Sequence, residues 1–214
     1  MTMRLWVCTG LLTAFSGFLT AQSPDESWHH YNADFGVGPA IPLGNSTNYF
    51  STAPLVVVGF GYRLNRWFQA DVGAQFAFGA ANNQNLEESA LGPVQGGDHE
   101  FMIPMGGRVF IPTRFEKFEV SAGAGVAYLH YSETVPSNYY VANQCYSCTA
   151  RDGWGAYGLA NVNYFLDSNR NFSVGTTLQY IIGHTSGPPV GAIPGLKTTD
   201  HWLNLMFDFG VSFK

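Results

Sequence analysis

The chain has 214 residues, enough for one domain, yet only 12% of them are charged, about half the roughly 25% of ordinary soluble domains. Aromatic residues reach 15% while mean hydropathy is only −0.01, and no stretch after residue 21 approaches the roughly 18 consecutive apolar residues of a membrane helix. This balance excludes a well-solvated globular surface, and a formal charge of −5 excludes nucleic acid as a partner.

Apolar residues without long apolar runs point to alternation, the pattern of a membrane β-barrel. The N-terminus names the compartment. Arg4 precedes an apolar run from Leu5 to Leu19, closed by Thr20-Ala21, so residues 1–21 read as a secretory signal peptide and Gln22 as the first mature residue. Cys8 sits too early for a lipidation site. Without Arg4 the mature chain, 22–214, holds nine basic against 15 acidic residues. Its two cysteines, Cys145 and Cys148, are either a loop disulfide of an oxidising compartment or a CxxC half-site for redox or metal chemistry.

From residue 33 onward, eight segments carry period-2 patterning between Gly, Pro, Asn and Asp punctuation. The first two span 33–41 and 54–64. The third sets Phe68, Ala70, Val72, Ala74, Phe76 and Phe78 against Gln69, Asp71, Gly73 and Gln75. The fourth spans 99–111. The fifth opposes Phe118, Val120, Ala122, Ala124, Val126 and Tyr128 to Glu119, Ser121, Gly123 and Gly125. The sixth, 152–166, is irregular, with Tyr157 and Leu159 on its polar face. The seventh places Phe172, Val174, Thr176, Leu178, Tyr180 and Ile182 on one side. The eighth, from His201 to Phe213, is the cleanest: Leu203, Leu205, Phe207, Phe209, Val211 and Phe213 share a face opposite Asn204, Met206, Asp208, Gly210 and Ser212.

Connections alternate in length. Short turns fall at 64–66, 112–116 and 167–171, and longer loops at 42–53, 80–98, 132–151 and 185–199. That is the arrangement of an all-β, eight-stranded antiparallel up-and-down transmembrane β-barrel with short periplasmic turns and longer extracellular loops. A soluble lipocalin-type barrel is the competitor. It is disfavoured because here the polar face is rich in Gly, Ser, Asn and Gln, which crowd easily into a narrow lumen. Aromatics gather at strand ends in two expected girdles, Tyr62, Trp67 and Phe68 below and Tyr128, Tyr131, Trp154 and Trp202 above.

The segments Phe35-Gly36-Val37-Gly38-Pro39-Ala40-Ile41-Pro42-Leu43-Gly44 and Val58-Gly59-Phe60-Gly61-Tyr62-Arg63-Leu64-Asn65-Arg66, with the terminal strand, resemble the small outer-membrane barrels of the outer-membrane protein A and X kind, and uncharacterised outer-membrane β-barrel domain proteins. The resemblance implies a porin-like envelope protein, monomeric, in contact with outer-membrane lipid and lipopolysaccharide. Two features depart from it: Lys214 stands behind the terminal aromatic Phe213, and no peptidoglycan-binding domain follows, so tethering by that route is not expected.

Parity turns Asp34, Arg63, Asp71, Arg108, Glu119 and Asp208 into the lumen near its periplasmic end. They form either a hydrogen-bonded structural plug or the filter of a small gated pore. His99, His130, His184 and His201 lie at extracellular strand ends facing lipid, on different strands, which argues against a metal site. His184-Thr185-Ser186 resembles the His-x-Ser arrangement of lipid A 3-O-deacylase barrels, since residues two apart on a strand share a face. Such a pair needs a carboxylate, and Asp152 and Asp200 are the candidates. Gly187 stands where that family has Asn, and no Glu occurs after Glu133.

No Gly-x-Ser-x-Gly elbow, phosphate-binding glycine loop or HExxH helix is present. The leading expectation is therefore a non-enzymatic barrel with a structural or surface-interaction role, without catalytic, cofactor-binding or metal residues. Its loops offer Glu87, Glu88 and Asp98, then Tyr139 and Tyr140, to a ligand that the sequence does not name. A lipid A deacylase using His184 and Ser186, or a small-solute channel, are the alternatives.

Overall fold

The computed structural model describes residues 29–80, 87–89, 92–94, 97–136, 145–188, 195 and 197–214; side chains are described for all of these except residues 87–98, 133–136 and 145–149. The expected signal peptide, the loop residues Tyr139 and Tyr140, and the side chains of Glu87, Glu88, Asp98, Cys145 and Cys148 lie outside what is described.

Ten strands occur in the described chain: β1 (Tyr31–Pro42), β2 (Ala53–Arg63), β3 (Phe68–Phe78), β4 (Glu87–Ser89), β5 (Gly92–Val94), β6 (Gly97–Ile111), β7 (Phe118–Pro136), β8 (Cys145–Phe165), β9 (Phe172–Ser186) and β10 (Thr198–Phe213). Eight of them close a barrel in the order β1-β10-β9-β8-β7-β6-β3-β2, every pair antiparallel, while β4 and β5 pair with each other apart from it. The expected architecture is therefore the one observed. Several strand ends reach farther than expected: β7 runs to Pro136 and β8 starts at Cys145, so much of the segment read as a loop at 132–151 is a paired hairpin stem.

Alternation decides which face meets which medium. Phe35, Val58, Val72, Val126, Val162, Leu178 and Phe207 all point outward and are exposed, Phe207 at 61%. Exposing such a belt on every side of a closed barrel costs about 25 cal/mol per Å² in water and nothing in lipid. The polar partners of these residues, Gln69, Gln75, Asn161, Gln179 and Asn204, are buried inside. Apolar outside and polar inside is the reverse of a soluble lipocalin-type barrel.

The registers also fix the tilt. Passing from partner to partner, Ser186 leads through Asp152, His130, Phe101, Phe76, Val56, Val37 and Phe207 to Thr176, ten residues below Ser186 on the same strand. Eight strands with this stagger enclose a lumen that side chains can fill.

Two periplasmic turns are closed by side-chain caps. Asn65 Oδ1 accepts from the Trp67 and Phe68 amides at 2.8 and 3.0 Å, and Asp167 Oδ1 accepts from the Phe172 amide at 2.9 Å. At the other end, a short 3₁₀ turn (Gly44–Asn48) folds over the mouth, where Ser46 Oγ accepts from the His201 amide at 2.8 Å.

Candidate functional site

The lumen is layered. At its periplasmic end Arg63 donates to Glu119 at 2.8 Å, with its guanidinium 3.6 Å from the centre of the Phe110 ring. Above, Arg108 Nε donates to Asp71 at 2.7 Å, and Gln69 Nε2 donates to the other oxygen of Asp71 at 2.7 Å. The chain continues through Asn32 to Ser212. Asp34 lies 3.9 Å from Arg108, and Asp208 accepts from Thr177 at 2.5 Å. All six charged residues assigned to the lumen by parity are found there. Four of them, Asp34, Asp71, Arg108 and Asp208, line a cavity of about 60 Å³, room for about four waters.

A layer of amides closes the cavity from above. Gln75 Nε2 donates to Gln179 at 2.7 Å, and Asn204 Nδ2 donates to Gln75 at 3.0 Å. Beyond it the lumen turns apolar, filled by Leu55, Met102, Leu129 and Ile181. Phe50, from the loop before β2, enters this mouth with its ring 4.9 Å from Trp202 and 5.2 Å from Tyr131. Trp202 Nε1 donates to Tyr131 Oη at 3.0 Å. Tyr131 and Trp202 are thus lumen residues, 1% and 0% exposed, and not members of the upper girdle; a membrane-facing place would have required the opposite strand parity. The expected polar lumen is thus interrupted by an apolar stretch above the amide layer.

A second buried network, missed in the sequence, ties β8, β9 and β10 together at the rim. Arg151 donates to the Thr185 hydroxyl at 3.0 Å and its carbonyl at 2.9 Å, and the hydroxyls of Thr185 and Thr198 donate to Asp200 at 2.7 and 3.0 Å. Arg151 was hidden at the end of the apparent loop, although its parity with Gly153 and Gly155 already turned it inward.

The outer wall carries the histidines. A level line around the barrel climbs about one and a quarter residues per strand, because ten residues of stagger are spread over eight strands. Starting from His184 on β9, that line passes within a residue of Asp152 on β8, His130 on β7, His99 on β6 and His201 on β10. The four histidines therefore share one height, spread over the half of the circumference from β6 to β10.

Within this sector His130 Nδ1 meets Asp152 at 2.7 Å, and Tyr128 Oη donates to the same carboxylate oxygen at 2.5 Å. His184 Nδ1 meets the Thr199 hydroxyl at 3.0 Å, and His201 Nδ1 meets the Tyr180 hydroxyl at 2.6 Å. The proposed His184–Ser186 pair thus has Thr199 at the place where a triad needs its acid. Ser186 pairs in register with Asp152, but that carboxylate serves His130, and Asp200 faces the lumen. His130-Tyr131-Ser132 repeats the His-x-Ser spacing with a carboxylate attached, and the sequence reading passed over it.

No family model matches this chain, and no curated protein is similar to it in sequence. Solved structures do resemble it. Neisserial surface protein A is 14% identical, with 86% of this chain and 97% of that one covered and a TM-score of 0.57. The outer membrane protein OprG from Pseudomonas aeruginosa is 14% identical over 88% and 99% of the two chains, with a TM-score of 0.51. The N-terminal β-barrel domain of Pseudomonas aeruginosa OprF is 11% identical over 87% and 99%, with a TM-score of 0.50. These likenesses show the fold, that of the small β-barrels of the bacterial outer membrane, and the apolar belt is the surface such a barrel presents to lipid.

Proposed function

We propose that this protein is a non-enzymatic structural barrel of the outer membrane, shut to solutes, whose dealings with its surroundings take place on its outer wall and loops. One observation carries the reading: Phe50 is seated against Tyr131 and Trp202 above the Gln75–Gln179–Asn204 layer, so side chains fill the lumen across two successive levels. In planar bilayers the purified full-length barrel is expected to pass no steady current. Steady conductance that changes on Arg108→Gln or Glu119→Gln would replace this reading with a small-solute channel.

A second reading, hydrolysis of an acyl ester on the outer wall, is favoured by the His130–Asp152 contact. A carboxylate on Nδ1 orients the imidazole and leaves Nε2 as the base, and Ser132, two residues along β7, shares the face of His130. In this chemistry Ser132 Oγ attacks the ester carbonyl while His130 takes its proton and returns it to the departing alcohol oxygen. Water then releases the acyl group by the same route. Mass spectrometry of lipid A from a host making the protein decides it. Loss of one acyl chain that requires His130 establishes the enzyme, and loss that requires His184 restores the pair first named from sequence. An unchanged profile leaves the structural barrel.

A further inference from the structure

The two ends of the barrel carry opposite charge. At the extracellular strand ends and in the loops between them the sequence places Glu87, Glu88, Asp98, Glu133 and Asp152, with Lys197 as their counterpart outside the buried rim network. At the periplasmic end, outside the lumen, stand Arg66, Arg114, Lys117, Arg170 and Lys214, with Glu116 and Asp167 as the acids among the described residues. In a chain of formal charge −5 this end is the exception, and a surface of one sign draws partners of the other. Among the described residues no carboxylate side chain forms an ion pair with Arg114, Lys117, Arg170 or Lys214.

Part of this face is a cleft. The stretch before β1, the turn between β8 and β9 and the end of β10 enclose about 460 Å³, lined by His29, Ser168, Asn169, Arg170, Asn171 and Lys214. That volume lies in the range of small-ligand sites. The turn is held in place from several sides. The Ser212 amide donates to the Asn171 carbonyl at 2.7 Å, and Asp167 is taken up by the Phe172 amide of its own turn. Arg170 has a left-handed backbone, with φ of 59°, and donates to the Glu116 carbonyl at 2.5 Å. One donor is spent there, and the guanidinium has others left for a carboxylate. Acceptors stand beside the cations. His29 Nε2 donates to the Asn169 carbonyl at 2.8 Å, so in the neutral ring Nδ1 keeps its lone pair, and it has no hydrogen-bond partner among the described residues. The side chains of Ser168, Asn169 and Asn171 make no hydrogen bond there either.

A phosphate answers the cations but brings no N–H to the free acceptors, whereas the last residue of a peptide carries a carboxylate and an amide N–H side by side. We propose that this cleft binds the carboxylate end of an acidic peptide of the cell wall, which lies on the side of the membrane that these turns face. Arg170 and Lys214 hold the carboxylate, and His29 with the side-chain amides of Asn169 and Asn171 takes up the peptide backbone. This adds a periplasmic partner to the structural barrel, and it stands whether or not the lumen conducts.

The test uses full-length folded barrel in a zwitterionic detergent and native mass spectrometry with the disaccharide-tetrapeptide that a muramidase releases from cell wall, its carboxylates either free or converted to amides. Wild-type protein is expected to retain the free form about tenfold better. Arg170→Asn, which suits the left-handed backbone, is expected to abolish that preference. Arg66→Gln, which removes a cation of the same face outside the cleft, should leave it within about twofold of wild type. Heat-modifiable migration checks that each variant is folded, and should Arg170→Asn fail to fold, Lys214→Gln, expected to lower the preference severalfold, carries the same decision. Equal retention of the two forms, retention of neither, a preference unchanged in the folded cleft variant, an equal loss in Arg66→Gln, or displacement by equimolar acetate or phosphatidylglycerol would each overturn the proposal.

Discussion

Arg108 is the one cation among three acids in the central cavity. Replacing it with Met keeps the volume and removes the charge, leaving Asp71 without its 2.7 Å partner and Asp34 and Asp208 facing it across the same space. Both members of the Arg108–Asp71 pair are largely buried, at 14% and 10% side-chain exposure, so solvent screens little of the loss. Stripping one partner from such a pair costs about 3–5 kcal/mol, a shift of roughly 10²–10⁴-fold in the folding constant. Asp71→Asn should cost less, about 1 kcal/mol, because Asp34 remains for the guanidinium. The double variant should recover part of the Arg108→Met loss, with a coupling of about 2 kcal/mol. Urea-dependent folding into phospholipid vesicles, followed by tryptophan fluorescence, measures all three. If Arg108→Met cost less than about 1 kcal/mol, or the two changes simply added, the network would not be the internal brace described.

Barrel closure supplies a sharper contrast. A Cβ at Gly38 would lie 1.8 Å from the Leu205 carbonyl oxygen on β10, whereas at Gly158 the nearest heavy atom would be 3.9 Å away. Gly38→Ala is therefore expected to reduce the heat-modifiable folded fraction, and Gly158→Ala to leave it unchanged. Phe50→Ala removes the stopper from the mouth and should cost about 3 kcal/mol in the same vesicle assay. Bilayers should still stay silent, because the amide layer lies beneath. In the turn between β8 and β9, the Phe172 amide donating to Asp167 holds that carboxyl below the ordinary aspartate range. A depressed folded value means that the turn gains full support above the unfolded value and loses it as pH falls through the folded one. Carboxyl NMR titration checks this, and an Asp167 titrating in the ordinary range would contradict it.

Alternation made the barrel legible, and it also placed Arg63, Arg108 and their acids correctly, because parity along a strand needs no knowledge of the neighbouring strand. Trp202 shows where a weaker rule displaced a stronger one. Its parity with Asn204 and Asp208 sends it inward, but an aromatic near a strand end also suits an interfacial girdle, and the girdle reading was the wrong one. The stems at 132–136 and 145–151 were hidden because above the membrane neither face need be apolar, so the period-2 signal fades while pairing continues. Partners were less legible than directions. That Arg151 and Asp200 share a network through Thr185 follows only from the register of three strands. The common height of the four histidines was invisible for the same reason, since the stagger belongs to the closed circuit and to no single strand.

The same stagger explains the glycines and what remains for function. An eight-stranded barrel of this tilt is so narrow that a large inward side chain must face a gap. Tyr157, which looked misplaced on a polar face, is such a case. A Cβ at Gly106 would come within 2.7 Å of its hydroxyl, and one at Gly125 within 2.8 Å of its ring. Glycines on β6 and β7 thus make the room that Tyr157 on β8 fills, and the 25 glycines of the chain are in part the counterpart of its bulky lumen residues. Filling the lumen in this way stabilises the barrel at the expense of a solute path. Selective contact is then left to the surfaces outside the lumen, and of these the periplasmic cleft is the one where the described residues gather unpaired cations beside free side-chain amides.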